Sequence, residues 1–570
     1  MNTTNNIYRA AKDELEAIVR EALATAMAKG ELPEVEIGKI SVEVPKDTKN
    51  GDLSCTAALA LAKPMRCAPK KIADTIVAGM RNHPWFESYS VAGAGFINAV
   101  FGCGWYSDVL RSVTALGDNY GGDDIGHGET VMVEFVSANP TGPMHLGNAR
   151  GGVFGDSLAA VLERAGYKVW REFYVNDAGN QVDLFGKSIE ARYIQHLKGE
   201  DAVEFPDNGY HGDDIKELAA LIAGEFGDSL LELDPEDRRV KMREIGLARN
   251  LERMQADLKR YNVVYDCWFR ETSLHNSGFV KETIDMLGER GYLYEKDGAV
   301  WFKGTELGME KDEVMVKANG FYTYYAVDIA YHRNKLMIRN FDRVIDVLGA
   351  DHHGHAVRFR AALTALGIDP TRLDIKLYQL VNLLQNGEAV RMSKRTGKMI
   401  SLDNLLDEIS VDAARFIFNS KQSDTHLEFD LGVAVREDSE NPVYYVQYAH
   451  ARICSMLDRL AAEGLSACGT ASEDLALLTE ASERALIKQI ASLPDEVRLA
   501  ARDYEPYRMT KYLIDLATAF HAFYTDCRIK GADEKLAAAR LTLADVTRSV
   551  IANVLGMLKI SAPARMEKND

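Results

Sequence analysis

The chain has no apolar run approaching the roughly 18 residues that read as a membrane-spanning helix. Its opening, MNTTNNIYRAAKDELEAIV, mixes acidic residues into an amphipathic helical pattern, unlike a signal or transit peptide. Seven cysteines (Cys55, Cys67, Cys103, Cys267, Cys454, Cys468 and Cys527) lie scattered without a CxxC pair. That spacing points to a reducing cytosol and to no structural zinc. There is no basic excess either. With 67 Lys and Arg against 85 Asp and Glu the net charge is −18, so contact with nucleic acid would have to come from local basic patches. Repeats and low-complexity tracts are also missing. What remains is an ordinary soluble composition, 46% apolar and 27% charged. Its length exceeds what one core supports, so about three or four domains are expected.

The stretch ANPTGPMHLGNARGG, residues 138–152, breaks an apolar pattern abruptly. Before it, VMVEFV (131–136) is β-branched and aromatic and predicts a buried strand. After it, Val153, Phe154, Leu158, Val161 and Leu162 recur at helical spacing up to a stop at Gly166, and KVWREFYV (168–175) predicts a second strand. This is a βαβ unit, with a right-handed crossover and parallel strands. Ligands in such sheets bind beyond the carboxyl ends of the strands, where a helix N-terminus offers free N–H groups and a positive dipole. His145 and Asn148 sit at that mouth, and Gly147 lets a flat ring approach the backbone.

The expected fold class is α/β, with a Rossmann-like parallel-sheet catalytic domain, a small N-terminal α/β domain and an all-helical C-terminal domain. The boundaries read as 1–120 for the first domain, 121–400 for the sheet domain with a helical insertion over 185–262, 401–440 for connecting helices and 441–570 for the bundle. Further strands are expected at GAVWF (298–302), FYTYYAVDIAY (321–331) and RVIDVLGA (343–350).

Three other stretches could carry chemistry. AVRMSKRTGKMISL (389–402) is a cationic, glycine-hinged segment suited to polyphosphate, or simply a solvated charge run. Asp328 closes the apolar FYTYYAVDIA stretch, as a binding carboxylate or as a helix cap. The three histidines of ADHHGHAVRF could suggest a metal, but adjacent histidines rarely share one and no HExxH pattern accompanies them.

Taken in order, VEFVSANPTGPMHLGNARGG and VRMSKRTGK resemble the HIGH and KMSKS signatures of class I aminoacyl-tRNA synthetases. FYVNDAGNQV (173–182), YYAVDIAYH (324–332), ENPVYYVQYAHARICSM (440–456) and LGMLKISAPARM (555–566) are similar to the arginyl-tRNA synthetases, and the likeness extends back to GDLSC (51–55) and AGAGFIN (92–98). The resemblance implies arginine activation by ATP, carried with Mg2+, and then transfer to the terminal ribose of an arginine tRNA. It assigns the phosphates to His145 and Asn148, adenine to Gly147 and the leaving pyrophosphate to Lys394, helped by Arg391, Met392, Ser393 and Arg395. By the same likeness, Glu134, Ser137, Asn139, Tyr324, Asp328 and His352 line the arginine pocket, with Asp328 first choice for the guanidinium; His355 is a further lining candidate. For tRNA it points to Phe96 and Asn98 at the elbow, Phe96 being equally readable as core, and to Tyr444, Tyr448, His450 and Arg452 in an anticodon-binding bundle. The chain is expected to be a cytoplasmic monomer with no resident metal. Two residues depart from the signatures: Asn148 stands for the second HIGH histidine and Arg391 for the first KMSKS lysine. Some family members without the loop lysine carry a lysine three residues before the first histidine. Here that position is Gly142, consistent with the presence of Lys394. A silent RNA-binding homologue would have lost Lys394 or Asp328, and a small-molecule adenylyltransferase would not need the helical last third.

Overall fold

The computed structural model describes residues 5–350, 354–389 and 400–566. At its centre lies a five-stranded, all-parallel sheet, in the order Leu373–Tyr378, Arg343–Gly349, Thr130–Phe135, Lys168–Val175, Cys267–Arg270. The Thr130–Phe135 strand is central, and its side chains alternate between two apolar layers. Val131, Val133 and Phe135 join the core under the Leu146–Arg164 helix, whereas Met132 joins the core under Tyr324–Arg333. Glu134 faces the Met132 side, an acid in the middle of a buried sheet.

An N-terminal unit packs the helix Ile7–Ala28 against a four-stranded antiparallel sheet. In the chain between strands Lys168–Val175 and Cys267–Arg270, helices Asn180–Lys198, Asp213–Phe226 and Pro235–Arg260 build a small core of their own around Phe185, Ile189, Tyr193 and Ile222. A three-stranded antiparallel sheet, including Ala299–Phe302, follows. The last third is a helix bundle running from Pro442 to Met557, preceded by a short strand, Leu427–Asp430, that pairs with Val381–Gln385. Arg415, fully buried, joins the parts by donating to the Leu558 and Tyr261 carbonyls and to Asp156 on the Leu146–Arg164 helix. No helix among the described residues is long and apolar enough to cross a membrane.

One expectation is overturned. FYTYYAVDIAY is not a strand; Tyr324–Arg333 is a helix, opened by the Thr323 hydroxyl accepting from the Ala326 N–H. Its aromatic and β-branched content suits a strand. Burial of Tyr325, Ala326, Val327, Ile329, Ala330 and Tyr331 on both parities shows no alternation, and the threonine cap decides for helix.

Candidate active site

The carboxyl ends of the inner strands meet the N-terminus of Leu146–Arg164. His145 is the N-cap of that helix: its Nδ1 accepts the Gly147 N–H at 3.1 Å, and its own N–H donates to Asn148 Oδ1 at 3.0 Å. These bonds fix both polar side chains. With Nδ1 accepting, the neutral ring carries its proton on Nε2; with Oδ1 accepting, the Asn148 amide keeps its N–H donors for a ligand. Partial desolvation lowers the His145 pKa, which favours the neutral ring. A methyl group on Gly147 would come within 3.1 Å of the His145 ring, so glycine here leaves room for that fold-back. Arg391, Met392, Ser393, Lys394 and Arg395 lie outside the described residues, as does His352. The chain emerging after the basic segment docks at the same mouth: Ser401 bridges to His145, and the Leu402 N–H bonds the Met144 carbonyl at 2.9 Å.

The strand carrying Glu134 ends in a strained bend. Val136 and Ser137 have φ of 68° and 43°, a left-handed conformation that a β-branched residue adopts only when its surroundings force it. Ser137 is held on both sides, donating to Glu134 Oε1 at 2.8 Å and accepting the Tyr174 N–H at 3.1 Å. Asn139 is exposed and donates to Gln181 at 2.6 Å. Across the cleft Tyr324 is 55% exposed, and half-buried Asp328 lies one helical turn on. No described residue donates a hydrogen bond to the Asp328 carboxylate. Burial, reinforced by Glu271 and Glu134, raises its pKa to about 7, against the pull of His332 and Arg358.

Glu271 was not among the residues expected from sequence. It is buried, accepts the Tyr174 hydroxyl at 2.8 Å, has His275 at 3.4 Å and is charge-coupled to both Tyr324 and Asp328. Its helix is capped by Asp177, which accepts from the Thr272 N–H and hydroxyl, both at 2.9 Å. The NDAGNQ segment therefore steadies two walls of the pocket, Asp177 through Glu271 and Gln181 through Asn139.

The candidates for tRNA contact lie apart from this cleft. Phe96 is 40% exposed, which removes the reading of it as core, whereas Asn98 is buried and its Oδ1 has no partner among the described residues. Tyr444 and Tyr448 stack at 6.1 Å on one helix face, and Arg452 lies 4.1 Å over the Tyr524 ring. His450 is buried, with Nδ1 2.9 Å from the Pro563 carbonyl, so it serves the packing of the bundle. His355 packs edge-on against Phe359 at 5.5 Å.

Family models match nearly the whole chain: the arginyl tRNA synthetase N terminal domain over residues 13–101, the catalytic domain of tRNA synthetases class I (R) over 111–447 and the DALR anticodon binding domain over 446–566. The arginine–tRNA ligase of Acetivibrio thermocellus is 52% identical, covering 98% of this chain and 100% of its own; that of Caldanaerobacter subterraneus is 49% identical with the same coverage. The solved arginyl-tRNA synthetase of Thermus thermophilus shares the fold at a TM-score of 0.72 and 22% identity, over 98% of this chain and 100% of that one. The parallel sheet opens on a capped helix mouth beside an acidic pocket, the sequence identity to these ligases is near one half along the full length, and the chain belongs to the arginyl-tRNA synthetases of class I.

Proposed function

We propose that the chain attaches L-arginine to its cognate tRNA, selecting the amino acid at Asp328 and Glu271 and activating it at the His145 helix mouth. The observation that carries this reading is the Asp328 carboxylate, set in a buried acidic pocket without a hydrogen-bond donor among the described residues. A guanidinium supplies what is missing: a permanent charge and five N–H donors in a plane. Tyr324 covers the pocket and Asn139 holds the amino-acid end, while Ser137, its hydroxyl engaged by Glu134 and the Tyr174 N–H, shapes the bend without touching substrate.

The arginine carboxylate then attacks the α-phosphate of ATP, breaking its bond to pyrophosphate; the tRNA ribose hydroxyl next attacks the adenylate carbonyl and AMP leaves. The protein's part is to position the reactants and to offer fixed donors to the charge that develops. His145 Nε2–H, the Asn148 amide and the helix N-terminus are those donors, with Lys394 of the basic segment on the leaving group. Mg2+ arrives with ATP. Exposed Phe96 is proposed for the tRNA elbow, and Tyr444, Tyr448 and Arg452 for the anticodon, whereas buried Asn98 and His450 are not. The scattered cysteines support a cytoplasmic protein without zinc, and a monomer is the simplest working unit. The test is attachment of radiolabelled arginine, against the other amino acids, to total tRNA. Arginine alone should be attached, and arginine-dependent pyrophosphate exchange should need tRNA. Attachment of another amino acid in its place counts against the reading.

A pH effect follows from Asp328. Only its ionised form pairs with a guanidinium, and in the free protein it titrates at about 7, facing Glu271 and Glu134, with His332, Arg358, Tyr174 and Tyr325 around it. Arginine affinity should therefore fall by roughly tenfold per pH unit below 7 and level off above it. Stability changes in the opposite sense. Between about pH 4 and 7 the folded protein holds a proton that the unfolded chain has lost, so this site's contribution falls as pH rises. The rise in Tm that arginine produces should consequently be larger at pH 8 than at pH 6. An equal rise at both, or a flat affinity profile, removes Asp328 from the contact.

A further inference from the structure

A row of acids crosses the three inner strands. Asp346 stands opposite Glu134 in register, and Glu134 opposite Glu172, so all three share one face of the sheet. They are 3%, 8% and 0% exposed. Like charges directly opposite each other destabilise a sheet, and buried ones need partners. The partners come from one stretch of chain. His332, Lys335 and Arg339 continue the helical stripe that begins at Asp328. Arg339 grips Glu172 with two nitrogens at 2.7 and 2.6 Å, His332 Nε2 lies 2.7 Å from Asp346 Oδ2, and Lys335 Nζ lies 2.9 Å from Asp346 Oδ1 while also bonding Glu134 Oε2.

Lys335 has no solvent exposure. It enters the sheet side through a single π turn, Asn334–Ile338, in which the Arg339 N–H reaches the Asn334 carbonyl five residues back at 2.9 Å. Such turns inside helices occur mostly where function requires an unusual side-chain direction. From Lys335 two lines of contact run to the proposed arginine pocket. Through Glu134 and Ser137 it supports the strained Val136–Ser137 bend. Through Asp346 and His332, whose Nδ1 donates to the Asp328 carbonyl at 2.7 Å, it reaches the Asp328 helix. A carboxylate and a carbonyl both accept, so His332 carries a proton on each nitrogen. Lys335 and His332 are thus engaged by Glu134 and Asp346, which leaves the Asp328 carboxylate without a hydrogen-bond donor among the described residues.

We propose that Lys335 is a positioning residue for arginine selection: by tying Glu134 to Asp346 it holds the strained bend and the Asp328 helix at the separation that the substrate's guanidinium requires. This rests on the arginine-binding reading above and adds no contact between Lys335 and substrate. The test compares steady-state charging, with arginine and ATP varied separately, in the unmodified enzyme and in Asp328→Asn, Lys335→Met, Lys335→Arg and Ser137→Ala. Lys335→Met, which takes from Glu134 and Asp346 the cation they share and leaves Glu134 without any, should raise the arginine KM by about 10²-fold, with the ATP KM unchanged within about threefold. Lys335→Arg should recover about tenfold of that loss, because a cation again spans both acids. Arginine and ATP constants that rise together, or a lower Tm with an unchanged arginine KM, overturn the proposal and leave Lys335 a packing residue. If Lys335→Met does not fold, Ser137→Ala decides. It cuts the line to the bend without unpairing a charge, and should raise the arginine KM by about tenfold; no rise overturns the proposal. Failure of the underlying reading shows separately, as absence of arginine charging by the unmodified enzyme or an unchanged arginine KM in Asp328→Asn, and it overturns both.

Discussion

Asp328→Asn is expected to raise the arginine KM by about 10³- to 10⁴-fold while leaving the ATP KM near its parent value. The size follows from what surrounds the carboxylate. It sits among Glu271, Glu134 and the Tyr174 ring, and no described residue donates a hydrogen bond to it, so on the proposed reading the substrate guanidinium would be its principal partner. An asparagine there keeps the shape, loses the charge and turns an N–H toward a group that only donates. The same change should help citrulline, whose neutral urea has an oxygen to accept that N–H. The arginine-to-citrulline preference should therefore collapse further than the arginine KM alone implies. Direct binding of both amino acids to the free enzyme by equilibrium dialysis measures this. Unaltered preference would make Asp328 a structural acid of its helix and pass the guanidinium to Glu271.

How far the site could be read from sequence depended on whether its residues are neighbours along the chain. The His145 mouth was legible because strand, turn and helix follow one another within VMVEFVSANPTGPMHLGN, and the strands Lys168–Val175 and Arg343–Gly349 fell where their apolar runs predicted. The Asp328 helix was misread, and the misreading hid more than one element. Read as a strand, residues 328, 332, 335 and 339 scatter over both faces. Read as a helix, Asp328, His332, Lys335 and Arg339 fall on a single ionisable stripe, turned toward acids on three strands. Period, not composition, carried that signal. Glu271 was illegible for another reason: its link to Asp328 is made by folding, through Tyr174 and Tyr324, and nothing local in CWFRETSLHN marks its acid as different from a first-turn glutamate. Burial of Asn98 and His450 shows the same limit in the other direction. Both types suit RNA contact, and only the packing tells which way they face.

At the signature helix, Asn148→Ala is expected to slow adenylate formation by about 10² to 10³ in kcat, the usual effect of losing one preorganised donor to a transition-state oxygen. The structure adds a complication and a way round it. Asn148 Oδ1 also accepts the His145 N–H, so alanine removes half of a capping box as well as a donor, a loss worth about 0.5 to 2 kcal/mol of stability. Asn148→Asp separates the two. Its oxygen restores the cap and keeps the fold stable, but it has no N–H to give and places a negative charge against the phosphates. Asn148→Asp should therefore match or exceed alanine in lost rate while equalling the parent in Tm. Asn148→His restores a donor and should keep most activity, and it adds an ionising group where the parent has only His145. Burial already lowers the His145 pKa, so the parent's acid limb should lie below the ordinary histidine range. Asn148→His should add a second ionisation between roughly pH 5 and 8. Single-turnover adenylation with tRNA saturating, run as a pH series beside melting curves for each variant, gives both readouts. Should Asn148→Asp run as fast as its parent, the amide serves only the cap, and phosphate binding falls to His145 Nε2–H and the helix N-terminus.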